Sequence, residues 1–216
     1  MALFGRGNRP ERRGTPSDVL VIGLGNPGKE FKGTRHNLGE EVLDELARRH
    51  GSALKRSKER AMVAEVKIGD RRVALAFPTT YMNASGESAA MLVRRFGIER
   101  PEQIVVVHDE LDLPPGALKV KEGGGLAGHN GLRSLQQHLK STDFLRVRLG
   151  VGKPPGGKQH GADHVLRRPG KGERTEMDVT VQEAADAVEV GQGGHSRGWR
   201  RWRRILPLDR GHPSGS

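Results

Sequence analysis

The sequence predicts a single α/β domain, a mixed sheet with helices on both of its faces. Three observations carry this. Short β-branched apolar runs alternate with stretches whose apolar residues recur at helical spacing. The alternation extends from Val19 to residue 190 with no internal repeat. A length of 216 residues fits one domain with tails and is enough to bury a proper core.

Residues 19–24 (VLVIGL) read as a buried strand closed by glycine. Residues 37–50 (NLGEEVLDELARRH) set Val42, Leu43, Leu46 and Ala47 at helical spacing, and Gly51 stops the helix. Residues 62–68 and 72–77 flank Gly-Asp-Arg, a hairpin signal. The segment PTTYMNASGESAAMLVRRFG begins as a loop and turns helical near Ser85. Ala89, Leu92, Val93 and Phe96 face inward, and Gly97 ends it. Residues 104–107 form a second buried strand that ends at His108-Asp109. Ile104, Val106 and His108 share one face; Val105, Val107 and Asp109 share the other. Residues 117–121 make a short strand before the loop EGGGLAGHNG. A helix follows at 132–139 and a strand at 144–151. Residues 172–190 carry a helical pattern with Val179, Ala184, Ala187 and Val188 on or near one face. In such sheets ligands bind beyond the carboxyl ends of the parallel strands. Asn26 follows one strand and Asp109 ends another, so both are expected at one crevice.

Composition narrows the classes. Hydrophobic residues make up 34% and aromatics 4%, low enough that part of the chain is expected to be unpacked. With no cysteine, a disulfide framework, a cysteine zinc site and a thiol nucleophile are all excluded. No apolar run reaches the roughly 18 residues of a membrane span. The N-terminal MALFGRGNRPERRGTPSD is too weakly apolar for a secretory signal, so a cytoplasmic protein is expected. The net charge of +11 is uneven: +3 on residues 1–16, +5 on residues 191–216 and +3 on the rest. A basic chain points to nucleic acid, with an anionic membrane surface as the rival. Basic tails that only aid solubility are the plainer alternative. The expected organisation is a disordered basic tail (1–16), the α/β domain (17–190) and an atypical basic tail (191–216).

Gly23-x-Gly25-x-x-Gly28 has the spelling of a dinucleotide turn, but its context fails. Such a turn opens a long helix that receives the pyrophosphate. Here Gly33 interrupts any helix after Gly28. The acidic residues about 20 positions on, Asp44 and Glu45, fall inside an amphipathic helix. The three glycines are expected instead to bend the backbone sharply at the end of the first strand.

The residues suited to chemistry lie in loops. His36 follows a strand and precedes a helix; as a general base it needs an orienting carboxylate, and Asp109 is the candidate. An aspartate in that position also serves as a cap, turn residue or metal ligand, and Glu110 and Asp112 keep a magnesium site open. Asn26, Asn83 and Asn130 each sit in a Gly- or Ser-flanked loop. A single such Asn reads as a turn residue. Three with a histidine suit a site that grips an amide or ester by neutral hydrogen bonds and stabilises an oxyanion. No G-x-S-x-G elbow is present, so direct attack by water fits better than a covalent intermediate. Lys119, Lys121 and Arg133 flank the glycine-rich loop, and Arg146 and Arg148 extend that basic surface, as a phosphate contact or a solvated face.

Three motifs, GLGNPGKEFKGTRHNLG (23–39), PTTYMNASG (78–86) and VVVHDELDLPPGALKVKEGGGLAGHNGLRS (105–134), carry a resemblance, supported by DFLRVRLGVGKP (143–154). Over about residues 19–190 the chain resembles bacterial-type peptidyl-tRNA hydrolase. The resemblance implies one α/β domain, monomeric, with a twisted, mostly parallel mixed sheet. It implies hydrolysis of the ester between peptide and tRNA, recycling tRNA from peptidyl-tRNAs lost by the ribosome, with no metal or cofactor. His36 would activate water and Asp109 would orient it. Asn26 and Asn83 would hold the peptidyl-ester end, and Asn130 would place the water or the carbonyl oxygen. Phe31, Tyr81 and His129 would line the substrate's path. Lys119, Lys121, Arg133 and Arg148 would meet phosphates of the acceptor stem.

Two departures stand out. Phe31 replaces the tyrosine of many members, keeping the ring without the hydroxyl. After residue 190 the family's Leu- and Ala-rich ending is replaced by GQGGHSRGWRRWRRILPLDRGHPSGS, with Trp199 and Trp202 set among arginines. That tail reads as an RNA-binding segment, as a contact for anionic membrane, or as sequence out of its natural frame or disordered. An RNA-binding relative without catalysis is the competing function class, and a nicotinamide enzyme a distant third.

Overall fold

The computed structural model describes residues 15–192, so the basic-tail expectations, Trp199 and Trp202 included, lie outside the described residues. Twelve regular elements follow in chain order: β1 Val19–Gly23, α1 Leu38–Arg49, β2 Lys55–Ser57, β3 Ala61–Ile68, β4 Arg71–Pro78, α2 Ser85–Phe96, β5 Ile104–Glu110, β6 Leu118–Glu122, α3 Asn130–Leu139, β7 Leu145–Gly150, α4 Gly161–Val165 and α5 Lys171–Gln192. The strands form one seven-stranded sheet in the order β2-β3-β4-β1-β5-β7-β6. The four central strands β4, β1, β5 and β7 run parallel; β3 and β6 run antiparallel to them, and β2 pairs antiparallel with β3.

Parallel centre strands are covered on both faces, which is why VLVI and IVVV read as unbroken apolar runs. One face packs Val19, Val21, Val105 and Val107 against α1 and α5; the other packs Leu20, Ile22, Ile104 and Val106 against α2 and α3. The alternation expected along β5 is thus the one observed. The hairpin of β3 and β4 closes at Ile68↔Arg71 across Gly69-Asp70, with Gly69 at φ 59°.

One inward assignment is corrected. Val179 on α5 is 54% exposed, while Met177, Val181, Ala184, Ala185 and Val188 are buried. The buried stripe advances by three and four residues. Val179 lies two positions from Met177, about 200° around the helix, and so faces out. The edge strand β2 and the five-residue α4 were also not anticipated. Neither is long enough to show a periodicity.

The chain leaves β1 through α1 on one face and reaches β5 through α2 on the other. β1 and β5 are neighbours, so a crevice opens at their carboxyl ends. Among the described residues no helix is long and apolar enough to cross a membrane.

Candidate active site

Of Gly23, which ends β1, and Gly25 and Gly28, which follow it, two serve close packing rather than bending. A Cβ on Gly23 would collide with the carbonyl of Gly39 in α1, and one on Gly25 would crowd Phe77 and Asn37. Only Gly28 takes a positive φ, 122°. The loop is then held by Asn37, 1% exposed, whose Oδ1 accepts from the Asn26 N–H (3.0 Å) while its Nδ2 donates to the Asn26 carbonyl (2.8 Å). Sequence reasoning passed over Asn37. Its only signal was polarity at the start of a helix whose neighbouring positions are apolar. The Asn26 side chain is fixed in turn, its Oδ1 accepting from the Met82 N–H at 2.8 Å. This ties the first loop to the one carrying Tyr81 and Asn83.

His36 occupies a 3₁₀ turn, Arg35–Asn37, that runs into α1. Its Nδ1 lies 2.8 Å from Asp109 Oδ1. Asp109, next to last in β5, is 3% exposed, and its buried carboxylate accepts this proton, which leaves the lone pair of His36 on Nε2. Burial opposes a charge on His36, but the Asp109 carboxylate and its hydrogen bond outweigh it and hold the pKa above the usual histidine value. For Asp109, burial alone would raise the pKa. The two histidines beside it prevail and hold it well below the usual carboxylate range.

The second histidine is His129. Its Nδ1 accepts from the Gly131 N–H (3.1 Å) and the Leu132 N–H (3.4 Å), capping α3. The proton must therefore sit on Nε2, which donates to the same Asp109 Oδ1 at 3.2 Å. His36 and His129 thus share one carboxylate oxygen, their ring centroids 5.2 Å apart. Behind His129, edge-to-face at 4.9 Å, lies the fully buried His108. Its pKa is pushed well down by burial and then by the His129 ring, so it stays neutral. His36, Asp109 and His129 are also the group, among the described residues, with ligand atoms close enough to hold a metal ion. In this geometry both ring N–H groups converge on Asp109 Oδ1, as in a carboxylate shared by two donors. Glu110 and Asp112 face cations: Glu110 accepts from Arg148 (3.0 Å), and Asp112 pairs with Lys153 (3.0 Å).

These groups line a cleft of about 670 Å³. Asn26, His36, Tyr81, Asn83, Asp109, His129 and Asn130, from four separate segments of the chain, all line it. Asn83 and Asn130 are exposed, and among the described residues no hydrogen bond engages their side chains. An apolar part of the lining includes Leu111, Val165 and Leu166. No single segment announced this wall, because its residues are scattered on a loop and on α4.

The remaining expected residues lie outside the cleft. Phe31 is half-buried, and its carbonyl accepts from Thr34 Oγ1 at 2.7 Å. Lys119 and Lys121 are on β6, opposite Arg148 and Arg146 of β7, and Arg133 is exposed on α3. Arg146 needs a correction: it is not part of the basic surface. It is 1% exposed, and its guanidinium donates to the carbonyls of Gly123 and, at 2.8 Å, Gly125. It braces the glycine-rich loop from beneath, because the carbonyls of that turn point inward and need donors.

A family model described as peptidyl-tRNA hydrolase matches residues 20–201. The chain is 51% identical to the peptidyl-tRNA hydrolase of Pseudarthrobacter chlorophenolicus over 173 residues, covering 79% of this chain and 87% of that one. It is 50% identical to that of Kineococcus radiotolerans over 177 residues, 79% and 88% of the two chains. Among solved structures, the peptidyl-tRNA hydrolase of Acinetobacter baumannii superposes with a TM-score of 0.78 at 38% identity, covering 86% of this chain and 95% of that one.

Proposed function

The chain belongs to the peptidyl-tRNA hydrolase family, and we propose that His36, Asp109 and three asparagines carry out its ester hydrolysis, with release and recycling of the tRNA. One observation carries the mechanism. A largely buried histidine, oriented by a buried carboxylate at 2.8 Å, lines a cleft that also presents the carboxamides of Asn83 and Asn130.

His36 Nε2 takes a proton from water as the water oxygen attacks the ester carbonyl. Asp109 holds the proton on Nδ1 and stabilises the imidazolium that forms. Asn130 donates toward the developing oxyanion. When the tetrahedral intermediate collapses, the carbon–oxygen bond to the ribose breaks. The His36 proton passes to the departing ribose oxygen, and the peptide leaves as a carboxylic acid. Asn26 and Asn83 meet the backbone amide of the peptide. A carboxamide can both donate to the peptide amide's carbonyl and accept from its N–H, whereas the ammonium of an aminoacyl ester offers no acceptor and carries a charge that must be desolvated, so charged tRNA is spared.

Lys119 stands opposite Arg148 and Lys121 opposite Arg146 in the β6–β7 ladder. Like charges paired across strands cost stability unless something negative offsets them. Glu110 offsets Arg148, Arg146 is taken up by the carbonyls of the glycine-rich loop, and the exposed Lys121 and Arg133 are the cations that would meet a phosphate backbone. Tyr81, 64% exposed at the cleft mouth, and Phe31 offer rings for stacking. The reading is that of a monomeric enzyme acting in the cytoplasm.

The test compares an N-acetylated aminoacyl-tRNA with its unblocked counterpart. The blocked ester is cleaved, the unblocked one is spared, and His36→Ala abolishes cleavage. Tight tRNA binding without cleavage of either would replace this reading with that of an RNA-binding relative.

A further inference from the structure

The apolar wall of the cleft is held in place by the residue next to the general base. α4 spans only five residues, Gly161–Val165, too few to keep its place through its own hydrogen bonds. Its carboxyl end is gripped by Arg35, 7% exposed. Nη1 donates to the carbonyls of His164 (3.1 Å) and Arg167 (3.0 Å), and the Arg35 backbone N–H also reaches the Arg167 carbonyl (3.4 Å). The other edge of the guanidinium forks onto Glu173 of α5 at 2.6 and 2.5 Å. Arg168 adds a second stitch, donating to the carbonyls of Lys32 (3.1 Å) and Lys29 (3.4 Å). The wall is therefore anchored to the turn that presents His36.

That wall consists of Leu111, Ala162, Val165 and Leu166, and Leu166 is 41% exposed into open space. Aliphatic side chains offer nothing to ribose or phosphate and favour hydrocarbon. They line the same cleft as Asn26, Asn83 and Asn130, where the peptidyl ester lies during hydrolysis. We propose that the wall receives the side chain of the peptide residue esterified to the tRNA, and that Arg35 is the positioning residue that sets the wall's distance from His36. The inference rests on the esterase reading and adds a preference to it: a large apolar last residue over glycine.

The experiment uses the full chain with N-acetylleucyl and N-acetylglycyl esters on the same tRNA, so that the RNA contacts are constant. The wild type favours the leucyl ester in kcat/KM by about tenfold or more, the scale of an added hydrocarbon group in an apolar pocket. Leu166→Ala and Arg35→Met each bring that ratio toward one. Glu173→Gln leaves the carbonyl grip intact and preserves the ratio, even if Tm falls. Equal wild-type rates on the two esters overturn the wall assignment while leaving the esterase intact. Loss of the ratio in Glu173→Gln to the same degree as in Arg35→Met assigns Arg35 a merely structural ion pair and overturns its positioning role. If Arg35→Met does not fold, Leu166→Ala still decides whether the wall reads the side chain. Hydrolysis of neither ester by the wild type overturns the esterase reading, and this one with it.

Discussion

Asp109→Asn isolates the charge of the shared carboxylate from its shape. An asparagine fits the same space, and its Oδ1 can still accept one histidine N–H, so what is lost is the negative charge beside two rings. In the wild type that charge lies 2.8 Å from His36 Nδ1 at a site with 3% exposure. Two unit charges about 4 Å apart at an effective dielectric near 20 interact by about 4 kcal/mol. Stabilisation of that size, present only once His36 is protonated in the transition state, corresponds to roughly a thousandfold in kcat.

The pH dependence supplies an independent readout. His36 must be neutral to act, and Asp109 holds its pKa above the usual histidine value. The acidic limb of the wild-type rate profile therefore has its midpoint above about pH 6.5. Without the carboxylate only burial remains, and the limb moves below that value. Stability follows by linkage. The raised pKa of His36 gives stabilisation that is full below about pH 6.5 and fades as pH rises through the folded value. The lowered pKa of Asp109 gives stabilisation present above about pH 3.9 and lost as pH falls through its folded value. Stopped-flow or single-turnover hydrolysis across pH, with Tm in the same buffers, measures all of this. A loss of less than tenfold in Asp109→Asn, or an unmoved acidic limb, would refute the reasoning.

Four further expectations follow from named contacts. His129→Ala removes the cap on α3 and lowers stability by about 1 kcal/mol; His129→Asn restores the cap and the Tm but not the reach to Asp109, so kcat stays reduced. Asn130→Ala deletes the oxyanion donor and lowers kcat by about a hundredfold or more with little change in tRNA affinity, read from single-turnover rates and filter binding. Gly86→Ala drives a methyl group into the Ser134 carbonyl where α2 crosses α3, costing about 2 kcal/mol, or roughly 4–8 °C in a thermal melt. Lys121→Ala weakens tRNA binding alike for all tRNAs and makes the log–log salt slope shallower by about 0.7–0.9.

Much of this molecule was legible before any coordinates. The strands at Val19 and Ile104, the amphipathic α1 and α2, and the alternation that separates His108 from Asp109 are local properties. Their periodicity is imposed by backbone geometry and is written in consecutive residues. The motif letters were equally plain: His36, Asp109, Asn26, Asn83 and Asn130 do line one cleft.

What tertiary structure decided was which group each letter meets, and those partners are far apart in sequence. His36 and Asp109 are 73 positions apart, and Arg35 reaches Glu173 across 138. That Asp109 serves two histidines follows from the capping of α3, which dictates the His129 tautomer. Arg146 and Arg148 look alike on their strand. One nevertheless lies beneath the glycine-rich loop and the other faces Glu110, because an unpaired inward carbonyl and a buried carboxylate each recruit the nearest donor. The spelling Gly23-x-Gly25-x-x-Gly28 specified small residues. Only the crossing of β1 with α1 showed that two of them make room for a neighbouring backbone and side chains rather than for a phosphate.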